Sequence, residues 1–145
     1  MDDPPAVAGR HDAGVDIVEL GFPPEALLRL TCDEHYPLEV ASVQLQVGAL
    51  SASTDIEDPY RTGFTDLADY FAGLANDWRG WPGVRSWRSV EGHISIDGHH
   101  DGHVQLDVTM LESHPGRWSL RARLTLDAGE QVRQAAEDLQ RLGRS

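Results

Sequence analysis

VQLDVTM (residues 104–110) and WSLRARLTL (residues 118–126) decide the fold. In both stretches apolar and polar residues alternate strictly, which is the period of a strand with one buried face. Val90, Gly92, Ile94 and Ile96 form a third alternating run just before them. The polar segments 97–102 and Ser113-His114-Pro115-Gly116 separate the three runs. Short turns between alternating runs predict an antiparallel meander with one wet face. Trp118 leads the inward face of the last strand, and its truncation is expected to cost about 3–5 kcal/mol. After it, Asp127 and Glu130 stand three apart, the spacing of a capping box. The helix they open places Val132, Ala135, Ala136, Leu139 and Leu142 on one side and stops at Gly143.

Upstream the pattern is less regular. Val15, Ile17, Val18 and Leu20 predict a strand that ends at Gly21-Phe22-Pro23-Pro24. A second strand alternates Ala26, Leu28, Leu30 and Cys32 with Glu25, Leu27, Arg29 and Thr31. In the third, Leu38 and Val40 share one parity while Val43, Leu45, Val47 and Ala49 share the other. A slip of one residue predicts a β-bulge near Ala41 and Ser42. Residues 51–63 read as an acidic loop. Leu67, Phe71, Leu74 and Trp78 then repeat at helical spacing, with Thr62 or Thr65 as the cap and Asp66 and Asp69 near the positive end of the helix dipole. Gly80-Trp81-Pro82-Gly83 stops that helix. The expectation is an α+β domain over 14–145, about six antiparallel strands in one sheet in βββαβββα order with two helices packed on it. Residues 1–13, rich in Pro, Asp and Ala, are expected to be a flexible arm.

Composition narrows the function. The 145 residues are 40% hydrophobic and 25% charged, with 24 acids, 12 basic residues and a net charge of −12. That length and apolar content suit one folded domain. Every basic residue is Arg. Residues 1–70 hold most of the negative charge, so the molecule is electrically lopsided unless the fold interleaves its halves. An acidic field argues against nucleic acid, which needs Lys and Arg against its phosphates, and favours encounter with a basic protein. The lone Cys32 excludes an internal disulfide. No apolar run is long enough for a membrane span, and the first residues lack the pattern of a signal peptide, so the expected location is the cytoplasm.

Chemistry-bearing residues are sparse. His93, Asp97, His99, His100, Asp101 and His103 fall within eleven residues, and imidazoles with carboxylates can ligate zinc, nickel or iron. The same segment, Asp-Gly-His-His-Asp-Gly, is also an ordinary polar hairpin turn. No nucleophile elbow or phosphate-cradling glycine loop is present. Arg117, Arg121 and Arg123 face Gln105, Asp107 and Thr109, where cross-strand pairing accounts for them better than an anion site. Of the tryptophans, Trp78 lies on the apolar stripe and reads as core, whereas Trp81, in a turn, reads as the exposed one.

FAGLANDWRGW (71–81), WRSVEG (87–92), HDGHV (100–104), Trp118 and DAGE (127–130) together resemble a family of small uncharacterised actinobacterial proteins. That family is loosely similar to the immunity proteins of wall-associated polymorphic toxins. The resemblance implies a binding role with no catalytic residue and no cofactor. Two readings follow. The first is a non-enzymatic immunity-type protein that neutralises a basic toxin through Asp55, Glu57, Asp58, Asp66 and Asp69. The second is a metal-binding module or metal-dependent enzyme using His93, Asp97, His99, His100 and His103.

Overall fold

The computed structural model describes residues 7–12, 15–22, 25–33, 40–57, 65–112 and 117–142. They form an α+β fold of nine strands and two helices. The first sheet is built from β1 (Val7–Asp12), β2 (Val15–Phe22), β3 (Ala26–Asp33), β4 (Val40–Val47) and β5 (Leu50–Glu57). The second holds β6 (Arg85–Arg88), β7 (Ile94–His100), β8 (Val104–Leu111) and β9 (Ser119–Leu126). In each sheet the strands lie in chain order and every pairing is antiparallel. Helix α1 (Thr65–Asn76) joins the sheets, and α2 (Glu130–Arg141) follows β9. Among these described residues, no helix is long and apolar enough to cross a membrane.

This corrects the expectation of one six-stranded sheet in βββαβββα order. The three additional strands, β1, β5 and β6, are all sheet edges. An edge strand has one bonded neighbour and needs little apolar surface, so its alternation is diluted by polar residues. β1 falls in the expected arm, yet its backbone pairs with β2 from Val7↔Leu20 to Asp12↔Val15. β5 replaces the expected acidic loop: among its described side chains Ile56 alone is fully buried, while Ser51, Ser53 and Asp55 are exposed. β6 is four residues long, with Trp87 half-buried on its inner side. The run from Val90 to Ile96 is not one strand. Val90 is 67% exposed, and Gly92 N–H donates to Ser89 O in the turn before β7.

The bulge expected near Ala41 and Ser42 is absent. β4 pairs with β5 residue for residue, and Ala41, Val43 and Leu45 share one buried face. Leu38, which generates the slip in the pattern, lies outside the described residues.

One core cluster draws on both sheets and both helices: Leu20, Leu30, Leu45, Phe71, Leu74, Leu106, Leu124 and Leu139 are all within it. β9 lies against β2, β3 and β4, and β5 reaches β8. Gly21 sits where β2 approaches Leu124 of the second sheet. Its φ of +83° is the left-handed region, and a Cβ there would lie 2.2 Å from Ala26 O and 2.9 Å from Leu124 Cδ2. The helices pack against each other, and α2 also covers β1 and β2.

α1 buries Leu67, Ala68, Phe71 and Leu74 as its stripe predicts. The stripe ends one turn early, however. Trp78 lies beyond the last helical residue and is 50% exposed, whereas Trp81 is only 7% exposed and donates through Nε1 to Gly98 O at 3.3 Å. The two tryptophans thus exchange their expected roles. Trp118 is likewise 39% exposed: it precedes β9, where its carbonyl still accepts from Glu112 N–H at 3.0 Å, and its ring lies at the end of the sheet. α2 has Gly129 as its N-cap with no side-chain capping bond. Asp127 instead accepts from Gly129 N–H and donates its own N–H to Gln131, while Glu130 pairs with Arg133.

Candidate functional site

The His-rich segment forms the β7–β8 hairpin. Ile94↔Met110 and His100↔Val104 mark its two ends. His93 is therefore separated from His103 by the length of the hairpin, about 20 Å at strand rise. His93 and His103 therefore do not come together. His100 is committed elsewhere. Its Nδ1 accepts from Gly102 N–H at 3.2 Å, so the proton sits on Nε2, which donates to Trp78 O at 2.9 Å. The ring also packs edge-on against Trp81 at 5.3 Å. Asp97 accepts from Ser86 Oγ at 2.6 Å, and His99 lies opposite Gln105. Among the described residues no set of three His, Cys, Asp or Glu is placed to hold a metal ion. Residue alternation selects the face of a strand but not the position along it, which is why spacing alone overstated this cluster.

The acidic candidates are dispersed. Asp55 is exposed on the edge strand β5, opposite Ser42. Asp66 accepts from Trp87 Nε1 at 3.3 Å, tying the first turn of α1 to β6, and Asp69 is exposed on α1. The Glu57 side chain and Asp58 lie outside the described residues. The fold does not interleave the charges. By sequence, the strands of the first sheet carry Asp12, Asp16, Glu19, Asp33, Asp55 and Glu57 against Arg10 and Arg29, whereas those of the second carry Arg85, Arg88, Arg121 and Arg123 against Asp97 and Asp107.

The open face of the second sheet is a polar ladder. Arg123 forks onto Asp107 through Nε at 2.8 Å and Nη2 at 3.2 Å, and this pairing holds the Asp107 carboxyl below its ordinary range. Thr125 donates to Gln105 at 2.7 Å. At the hairpin turn the His103 N–H and the Gln105 amide lower the Asp101 carboxyl. Arg121 lies opposite Thr109, diagonal to Asp107, whose carboxyl its charge also lowers, so cross-strand pairing is direct for Arg123 and of longer range for Arg121.

On the inner side, Tyr70 of α1 donates to Arg85 O at 2.9 Å, and burial raises its hydroxyl pKa. Gly98 admits this ring: a Cβ there would lie 2.7 Å from the Tyr70 hydroxyl. Arg85 pairs with Asp77 at 2.6 Å and lies over Trp81. These contacts fix the segment after α1 against the hairpin.

Beside that segment lies an open cleft of about 420 Å³, lined by Trp78, Arg79, His100, Gly102, Asp127 and Gly129. It forms where the end of α1, the β7–β8 turn and the start of α2 meet. The residues beyond Asn76 carry the Trp78 ring, and Arg79 stacks on it at 5.0 Å. The Asp127 carboxylate is oriented by Gly129 N–H at 2.9 Å. The cleft is open to solvent and not an enclosed cavity. The sequence reading missed it because Trp78 falls on the helical stripe. The signal available was Asn76-Asp77 just before Trp78, residues that favour ending a helix.

A family profile described as a family of unknown function (DUF6228) matches residues 24–145. The chain belongs to this family. The matched region contains every residue of the cleft, β3 to β9 and both helices, whereas β1 and β2 precede it. No curated protein and no solved structure matches the chain. The family description assigns no chemistry.

Proposed function

We propose that this protein is a non-enzymatic binding protein of the immunity type, which captures a basic partner such as a toxin. One observation carries the reading: the negative charge is segregated onto the first sheet and the helix that follows it, with Asp55 and Asp69 exposed and unpaired among the described residues. A one-sided acidic field steers a basic protein and accelerates encounter, with a steep dependence on salt. Cytoplasmic location fits a protein that neutralises a toxin inside its own cell. The metal-module reading draws no support from the hairpin, where His100 has both ring nitrogens engaged.

The test uses purified products of the genes adjacent to this one. Association with the full chain is followed by stopped-flow at low and at physiological ionic strength. A basic neighbour should bind, with an on-rate that falls steeply with salt and falls again in the Asp55→Asn, Glu57→Gln, Asp58→Asn variant. Binding by no neighbour at low salt, or a rate indifferent to both changes, overturns the reading.

A further inference from the structure

The Trp78 cleft lies at a distance in sequence from Asp55 and Asp58, and it is organised differently from an acidic strand. Its walls are fixed. His100 is held from both ring nitrogens and braced by Trp81, and Asp127 is held by Gly129 N–H. Against these stands an indole that is half exposed although the chain buries its other helix-proximal tryptophan. The ring already shows what it accepts, since the guanidinium of Arg79 stacks on it. A planar cation over an indole gains from the ring quadrupole, and a carboxylate nearby adds a charge-assisted hydrogen bond. The positive end of α2 also faces the cleft, but the Asp127 carboxylate is bonded to it and offsets it.

We propose that this cleft is an arginine-side-chain pocket: it receives a protruding guanidinium of the basic partner, which displaces Arg79 from Trp78 and pairs with Asp127. The assignment deepens the binding-protein reading and rests on it for the identity of the partner as a protein. Chemically, it makes Trp78 and Asp127 the anchor of the interface, in the manner of pre-formed pockets that carry most of the energy of protein–protein contacts. The acidic strand would then govern the rate of encounter and the cleft its lifetime.

The experiment uses the full ¹⁵N-labelled chain and three small probes: N-acetyl-arginine amide, the N-acetyl-citrulline amide that is its neutral near-isostere, and inorganic phosphate. The arginine probe should shift the Trp78 indole N–H, identified by its loss in Trp78→Phe, and the Gly102 and Gly129 amides in a saturable way. The citrulline probe and phosphate should not. Asp127→Asn, whose amide oxygen can still accept from Gly129, and Trp78→Ala should each weaken the arginine probe by about two- to fivefold. Arg79→Ala, which vacates the ring, should tighten it by a similar factor. Equal shifts with citrulline, a response to phosphate instead of arginine, or weaker binding in Arg79→Ala would overturn the assignment. No partner protein enters this titration, so its failure removes the pocket alone. Failure of the neighbour-protein assay removes the proposed function and leaves an arginine pocket without an assigned partner.

Discussion

The exchange between Trp78 and Trp81 yields the sharpest test of the structure. A tryptophan buries about 150–250 Å². At about 25 cal/mol per Å², complete burial is worth up to about 4–6 kcal/mol, an upper bound because unfolded chains retain some burial. Trp81 is 7% exposed, and Trp81→Ala also removes the Nε1 bond to the Gly98 carbonyl and the ring that braces His100. The expected cost is about 3–5 kcal/mol, a large share of a typical domain stability of about 5–15 kcal/mol. Trp78 is 50% exposed and borders open solvent, so Trp78→Ala opens no closed cavity. Its expected cost is about 1 kcal/mol. Urea unfolding followed by far-ultraviolet circular dichroism avoids relying on the fluorophores being removed. The midpoint should fall far in Trp81→Ala and little in Trp78→Ala, with the slope unchanged in both. Equal losses, or a larger loss in Trp78→Ala, would return Trp78 to the core and dissolve the cleft.

Other consequences can be measured on the same material. Gly98→Ala puts a Cβ 2.7 Å from the Tyr70 hydroxyl and should cost about 1–3 kcal/mol; Tyr70→Phe should recover part of that loss, and additivity in the double-mutant cycle would refute the close approach. Asp107 has a folded pKa below its unfolded value, so its pairing with Arg123 contributes stability above the unfolded value and loses it as pH falls through the folded one. Stability below about pH 4 should therefore fall less steeply in Asp107→Asn, and an unchanged acid limb in denaturant titrations would contradict the pairing. Asp138 is buried with one carboxylate oxygen on Gln134 Nε2 and the other unpartnered. Gln134→Ala, which leaves both buried oxygens without that partner, should cost about 1–3 kcal/mol, and an unchanged urea midpoint would refute the pairing. Trp118→Ala should cost about 1 kcal/mol, since its ring is exposed at the sheet end, and a loss near that of Trp81→Ala would place it inside.

The α+β class, strands β2, β3, β8 and β9 and the apolar faces of both helices were legible in the sequence. Each of these buries one face against the core, and burial imposes a period of two or 3.6 on the residues. Val104, Leu106, Val108 and Met110 carry that signal undiluted, and all four are fully buried. The edge strands were not legible. β1, β5 and β6 are held by backbone pairing to one neighbour, which any side chain permits, so Ser51, Ser53 and Asp55 read as loop.

The site followed the same division. Composition gives the acidic excess and its concentration in residues 1–70, because charge is a sum over residues and needs no coordinates. Its segregation by sheet required the topology, which places β1–β5 and β6–β9 in separate hydrogen-bonded sets. Periodicity assigned Trp78 to the core because a stripe carries no mark of where its helix ends. Asn76 and Asp77 mark the end of α1 only weakly, and tertiary structure decided that Trp81 takes the interior place, bonded to the Gly98 carbonyl. What sequence fixes is which residues prefer water. Which of them meet across elements depends on distances between segments far apart in the chain, and those distances exist only after the sheets have packed.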